Sequence, residues 1–163
     1  MRHPTKEDEI VTLQPMTETD FQSYLASAIQ GYAQDKIQAG NWSQSEALER
    51  SRQEFDGYLP QGLATPDNFL FSLLNENAEK VGYLWYAIPP KQRNLAFIYD
   101  FAIYAPFRRR GYASQALAAL EQDAKTRGLT QIELHVFGHN TAARELYKKA
   151  GFAETNVMMS KKI

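Results

Sequence analysis

Apolar residues change their spacing several times along the chain, and each change marks an element. Ile10-Val11-Thr12-Leu13-Gln14 alternates like a short strand. From Phe21 the period lengthens: Phe21, Tyr24, Leu25, Ala28, Ile29 and Tyr32 fall on one helical face. Thr17 with Asp20 offers that helix an N-cap, and Gly40 a stop. Ser43 with Glu46 predicts a capping box for a second helix, with Ala47, Leu48, Phe55 and Tyr58 as its apolar positions and Pro60-Gln61-Gly62 as its end.

The middle of the chain reads as a meander. Strands are expected over residues 68–75 and 80–88, joined by the turn Glu76-Asn77-Ala78-Glu79, and over 95–104 after the loop 89–94. A helix follows over 112–127, closed by Gly128. Then come a strand over 131–137, a helix over 141–150 ending at Gly151, and a last strand over 152–161. The order β-α-α-β-β-β-α-β-α-β predicts an α/β fold (a mixed α+β sheet): an antiparallel meander joined to a βαβ crossover, as a single domain over residues 1–163.

Composition narrows the field. The 163 residues are 44% hydrophobic, enough for a core without staples. The chain has no cysteine, which excludes disulfides, thiolate zinc sites and a thiol nucleophile. A formal charge of -1 argues against a general nucleic-acid partner. Met1 to Glu9 lacks the apolar stretch of a secretory signal, and no window is apolar enough to span a bilayer. Cytoplasmic residence, without membrane attachment, is the expectation. Asn41-Trp42-Ser43 matches a glycosylation acceptor, which has no meaning without secretion.

The most informative stretch is Arg108-Arg109-Arg110-Gly111-Tyr112-Ala113, between the apolar run 95–104 and the helix beginning at Tyr112. A turn of this kind aims backbone N–H groups at one spot, in front of the positive end of a helix. Gly111 tolerates positive φ and keeps no Cβ between ligand and backbone. This is the chemistry of a diphosphate cradle. A solvated arginine cluster, or a nucleic-acid contact, is the plainer alternative.

At these residues the chain resembles the GNAT superfamily of acetyl-CoA-dependent N-acetyltransferases, with particular likeness to its bacterial YycN-type members. The family's Arg/Gln-x-x-Gly-x-Gly/Ala signature is matched by Arg108 to Ala113, although Arg109 stands where glycine is frequent. Its second signature is matched by Leu134-His135-Val136, Asn140, Ala143, Leu146-Tyr147 and Gly151-Phe152. The resemblance implies acetyl-CoA as co-substrate, no metal, and a splay between the fourth and fifth strands. It further implies that the main chain of Phe101, Ala102 and Ile103 holds the pantetheine arm. The diphosphate would lie on Arg108, Arg109, Arg110, Gly111, Tyr112, Ala113 and Ser114, with Asn140 and Tyr147 facing the cofactor.

Tyr147 follows Asn140 by about two helical turns, and its phenol suits protonation of a departing thiolate. For the general base there are two candidates. His135 points away from the apolar set of Leu134 and Val136 and titrates near neutrality. Asp100 is a charge inside an otherwise apolar strand. Phe97 replaces the glutamate base of certain histone-acetylating relatives. Tyr24, Tyr32, Trp42, Tyr83, Trp85 and Tyr86 are either an acceptor pocket or core aromatics. The expected reaction is direct transfer of an acetyl group to a primary amine, small-molecule or peptide, in a ternary complex. A non-catalytic acyl-CoA sensor is the alternative, and a homodimer is compatible with the resemblance.

Overall fold

The computed structural model describes residues 11–163. Ile10, the N-terminal residue of the expected first strand, and the stretch read for a secretory signal lie outside them. The elements are β1 (Thr12–Pro15), α1 (Glu18–Gln38), α2 (Ala47–Tyr58), β2 (Asn68–Leu74), β3 (Lys80–Ala87), β4 (Leu95–Ile103), α3 (Tyr112–Thr126), β5 (Gln131–Leu134) and α4 (Thr141–Lys149). One sheet runs β1-β2-β3-β4-β5, antiparallel throughout except for the parallel pair β4–β5. That pair is joined by the α3 crossover, as the expected mixed sheet requires.

Alternation along the strands divides the side chains between two cores. Phe71, Leu73, Leu84, Tyr86, Ile98 and Ile103 pack with Leu117 and Leu120 of α3, and with Leu146 and Tyr147 of α4. Leu70 and Trp85 point the other way, onto Phe21, Tyr24 and Ala28 of α1 and Phe55 of α2. The helices therefore cover opposite faces of the sheet. The α1 start is a full capping box: Thr17 Oγ1 accepts from the Asp20 N–H, and Asp20 Oδ2 accepts from the Thr17 N–H, both at 3.2 Å.

Two local expectations are corrected. At α2, Glu46 reaches back to the Ser43 N–H at 3.3 Å, but Ser43 Oγ bonds to Ser45 Oγ and caps nothing. The helix starts at Ala47, which turns Leu48 and Tyr58 outward and buries Ser51, whose hydroxyl donates to Ile29 O at 2.7 Å. A polar residue thus takes a core position because α1 offers it a main-chain acceptor. The last strand, expected over 152–161, is not formed. Residues 152–163 carry no regular structure, and β5 is left as the outermost strand. The apolar Val157-Met158-Met159 suits a strand in sequence, but no neighbouring strand lies against it.

Two irregularities shape the part of β4 that matters for function. Trp85 pairs with Asp100 while Tyr86 pairs with Ile98, so Tyr99 is the extra residue of a bulge. It points its ring to the α1/α2 side, as does Asp100 beside it: Tyr99 stacks on Trp85 at 4.7 Å, and Asp100 bonds to Tyr24. Further along the pair, opposite Ile103, Gly82 admits a very close approach, since a Cβ there would lie 2.1 Å from Ala102 O.

Candidate functional site

The splay follows from pairing. β4 runs on to Ile103, but its partnership with β5 stops at Ile98 and Leu134. Tyr99 to Ile103 therefore form one wall of an open wedge, and His135 to Phe137 depart along the other. Tyr104 N donates to Val81 O at 2.8 Å, which fixes the alternation along the β3–β4 pair. Ala102 is turned to β3, whereas Phe101 and Ile103 turn their main chain to the wedge. Of the three residues expected to hold a pantetheine arm, Ala102 is thus the exception. Ile103 O already accepts from Arg108 Nε at 3.0 Å.

Beyond the wedge the chain makes a short 3-10 turn at Ala105–Phe107 and enters the arginine bend. Two residues there are left-handed, Arg109 with φ 62 and Gly111 with φ 83. The first is unfavourable for an L-residue by about 1–2 kcal/mol, so the rest of the turn dictates it. The N–H groups of residues 109–114 donate to no acceptor among the described residues. They stand in succession at the positive end of a 15-residue helix, an arrangement that attracts an anion. Arg108 is committed to Ile103 O, and Arg110 lies over the Phe107 ring at 5.8 Å. Arg109 has no partner among the described residues.

A cleft of about 400 Å³ runs from this bend to α4, with Ile103, Gly111 and Ser114 on one side and Ala142, Leu146 and Lys149 on the other. Asn140 caps α4: its Oδ1 accepts from the Ala143 N–H at 3.2 Å. That spends its acceptor oxygen and leaves its NH₂ without a partner among the described residues. Tyr147 is half-buried, with its ring against Phe152 at 5.6 Å. Its hydroxyl makes no hydrogen bond to any described residue. Burial, and then the charge of Asp100, push its pKa up to about 12, so it stays a proton donor at every working pH.

Asp100 sits at the fork of the wedge. Burial raises its carboxyl to about 6, against the lowering effect of hydrogen bonds from the Tyr24 hydroxyl (2.7 Å) and the Phe101 N–H. It is therefore ionised but weakly held at pH 7, suited to accept a proton. The pKa of Tyr24 is in turn raised, by burial and then by Asp100. His135 lies on the same α1/α2 side but across the wedge, with Phe137 at 5.1 Å. Burial, then the Lys36 charge, lower its pKa. Lys36 itself rests over Tyr32, Trp42 and Phe137, and His139 approaches Asp35 at 3.6 Å. The charge of Asp100 thus acts on Tyr147, whereas the charge that acts on His135 is that of Lys36.

Of the expected pocket aromatics, Tyr24, Trp42, Trp85 and Tyr86 are buried core residues, and Tyr86 belongs to the α3 side. One residue that the sequence did not single out, Tyr99, carries weight. The bulge exposes the Tyr99 ring beside Tyr58 (4.9 Å) and Phe97 (5.0 Å), an aromatic shelf adjoining Asp100. No spacing in the sequence announces a bulge. Among the described residues no cluster of acids and histidines could hold a metal ion, and no helix is long and apolar enough to cross a membrane.

Comparison with known proteins converges on one group. The pattern of the acetyltransferase (GNAT) family matches residues 33–152. The chain is 47% identical to the uncharacterized N-acetyltransferase YycN of Bacillus subtilis (strain 168), over 94% of this chain and 99% of YycN. It is 37% identical to the uncharacterized N-acetyltransferase YdgE of the same organism, over 93% and 98% of the two chains. The crystal structure of YycN superposes with a TM-score of 0.90 at 46% identity, covering 94% of this chain and 98% of that one.

Proposed function

The chain belongs to the acetyltransferase (GNAT) family, and from that premise we propose that it moves an acetyl group from acetyl-CoA directly to a primary amine. The observation that carries this reading is the run of unpaired N–H groups at residues 109–114, opening on the same cleft as α4 and lying next to the splayed strand. The residues fit the co-substrate. The bend would hold the diphosphate, and the outward main chain of Phe101 and Ile103 would pair with the pantetheine amides as an added strand. Acetyl-CoA, when bound, supplies an activated thioester.

The remaining chemistry falls to side chains of this chain. An amine such as a lysine arrives protonated and must lose its proton before it attacks; at pH 7 that costs about 4.6 kcal/mol. Asp100, at the fork, accepts that proton directly or through a water. Tyr147 donates its phenolic proton to the departing sulfur and is restored by the second proton that the nitrogen sheds, through water, as the amide forms. The two pKa values, about 6 and about 12, keep one group a base and the other an acid over the same pH range. The acceptor approaches from the α1/α2 side over the shelf of Tyr58 and Tyr99, as a small-molecule or peptide amine.

The test is thiol release from acetyl-CoA with a panel of primary amines. Amine-dependent release, with acetylated product seen by mass spectrometry, is expected. Tight acetyl-CoA binding without turnover on any amine would instead make the protein a sensor of acyl-CoA.

A further inference from the structure

We propose that the acceptor is an amino acid, a primary amine that also bears a carboxylate, and that Lys36 holds this carboxylate while the amine lies at Asp100. The inference rests on the transferase reading and narrows its substrate class. Lys36 stands in the last turn of α1. Its ammonium lies over the rings of Tyr32 (5.5 Å), Trp42 (5.2 Å) and Phe137 (6.0 Å). Phe137 belongs to the wall of the wedge that continues from β5, and its ring meets His135 at 5.1 Å. The cation thus sits beside that wall, as the Tyr99 shelf sits on the β4 wall, with the path of the acceptor between them.

What marks Lys36 is a charge held in place and left unanswered. Three ring faces fix the ammonium, and none of them takes up an ordinary hydrogen bond. The ammonium forms no hydrogen bond or ion pair with any described residue. Carboxylates around the same rings are engaged elsewhere: Glu54 accepts from the Tyr32 hydroxyl at 2.9 Å, Glu46 pairs with Arg50 at 3.1 Å, and Asp35 lies 3.6 Å from His139. A cation already positioned loses little further freedom when an anion arrives.

The mouth is also dipolar. The charge of Asp35, the residue before Lys36, acts on Asp100 and Tyr83 at the fork, while that of Lys36 acts on His135. Opposite charges one residue apart suit a molecule with an ammonium at one end and a carboxylate at the other. A phosphate would bring two negative charges against one cation and beside Asp35. Room is present as well. Gly31, two turns after Tyr24 and one before Asp35, has nothing within 4 Å of an added Cβ, although glycine inside a helix costs about 1 kcal/mol.

Matched acceptors test the proposal. Thiol release from acetyl-CoA is measured with glycine, the longer ω-amino acids up to aminohexanoate, and L-lysine, each beside the amino alcohol that replaces its carboxylate by CH₂OH. For at least one pair kcat/KM should favour the amino acid about tenfold or more, through KM. Lys36→Met keeps the stem on the rings and should bring that ratio to about one, whereas Lys36→Arg should keep most of it. Calorimetry gives a reading without turnover: the preferred amino acid should bind the protein loaded with coenzyme A, which has no acetyl group to give, and this heat should vanish in Lys36→Met. Amino alcohols used as well as the amino acids by the wild type, or a preference that survives Lys36→Met, would overturn the proposal and leave the transferase reading standing. Absence of thiol release with every amine would overturn that reading, and this one with it.

Discussion

Replacing Asp100 by asparagine should make the protein more stable and less active, and the two effects have one cause. A carboxyl whose ordinary value is about 3.9 is raised to about 6 by burial in the fork. Folding therefore favours the protonated form. Its contribution to stability is fully present below about pH 4 and is lost as the pH rises through about 6. A shift of about two units corresponds to about 3 kcal/mol of destabilisation at pH 8. Asparagine keeps an oxygen for the Tyr24 hydroxyl, 2.7 Å from Asp100 in the native protein, but loses the charge that the Phe101 N–H also engages. The net gain should be about 1–3 kcal/mol at pH 8 and near zero at pH 4.

Thermal melts at the two pH values read that difference as a rise of about 2–4 °C per kcal/mol. Thiol release from acetyl-CoA reads the other side: loss of the base should lower kcat/KM about 10²–10⁴-fold. It should also remove the break near pH 6, below which wild-type activity falls. His135→Ala, the control across the wedge, should cost less than about tenfold. Turnover by Asp100→Asn within tenfold of wild type, or a variant less stable at pH 8, would refute the assignment of Asp100.

Tyr147→Phe should reduce kcat by about 10²-fold, towards the low end for a general acid because a thiolate leaves readily. Its melting temperature should not fall, since the hydroxyl has no hydrogen-bond partner to lose among the described residues. Gly111→Glu should abolish acetyl-CoA binding in calorimetry while the circular dichroism spectrum stays native. A Cβ there has open space, with only Gln115 at 4.0 Å, and the left-handed φ of 83 costs a non-glycine residue about 1–2 kcal/mol. Gly82→Ala should be harsher, because its Cβ meets the main chain of Ala102. A loss of at least about 1–3 kcal/mol, measured by denaturant unfolding, is expected together with weaker acetyl-CoA binding.

What the sequence reveals here depends on how far apart the cooperating residues lie. The Thr17–Asp20 box, the Gly111 bend and the Asn140 cap are settled within one turn of backbone, and all three stand where local spacing puts them. The meander and crossover are legible from period and punctuation. The fork is not. Asp100 is visible as a misplaced charge, but its hydrogen bond spans 76 positions to Tyr24, and the bulge that exposes Tyr99 arises from register between strands. Ser51 outranks Leu48 for burial because of a carbonyl on another helix. Whether Val157 to Met159 find a strand to pair with is likewise decided by an edge elsewhere in the sheet, which their own β-propensity cannot report.

The claim on which the account rests is that the main chain of residues 109–114 grips the diphosphate of coenzyme A. Amide resonances assigned by NMR report it residue by residue during titration with acetyl-CoA. The amides of Arg109 to Ser114 should move together and saturably, and should stay in place with acetyl-pantetheine, which lacks the diphosphate. Saturable binding of acetyl-CoA that leaves those amides unmoved, or no binding at all, would contradict it.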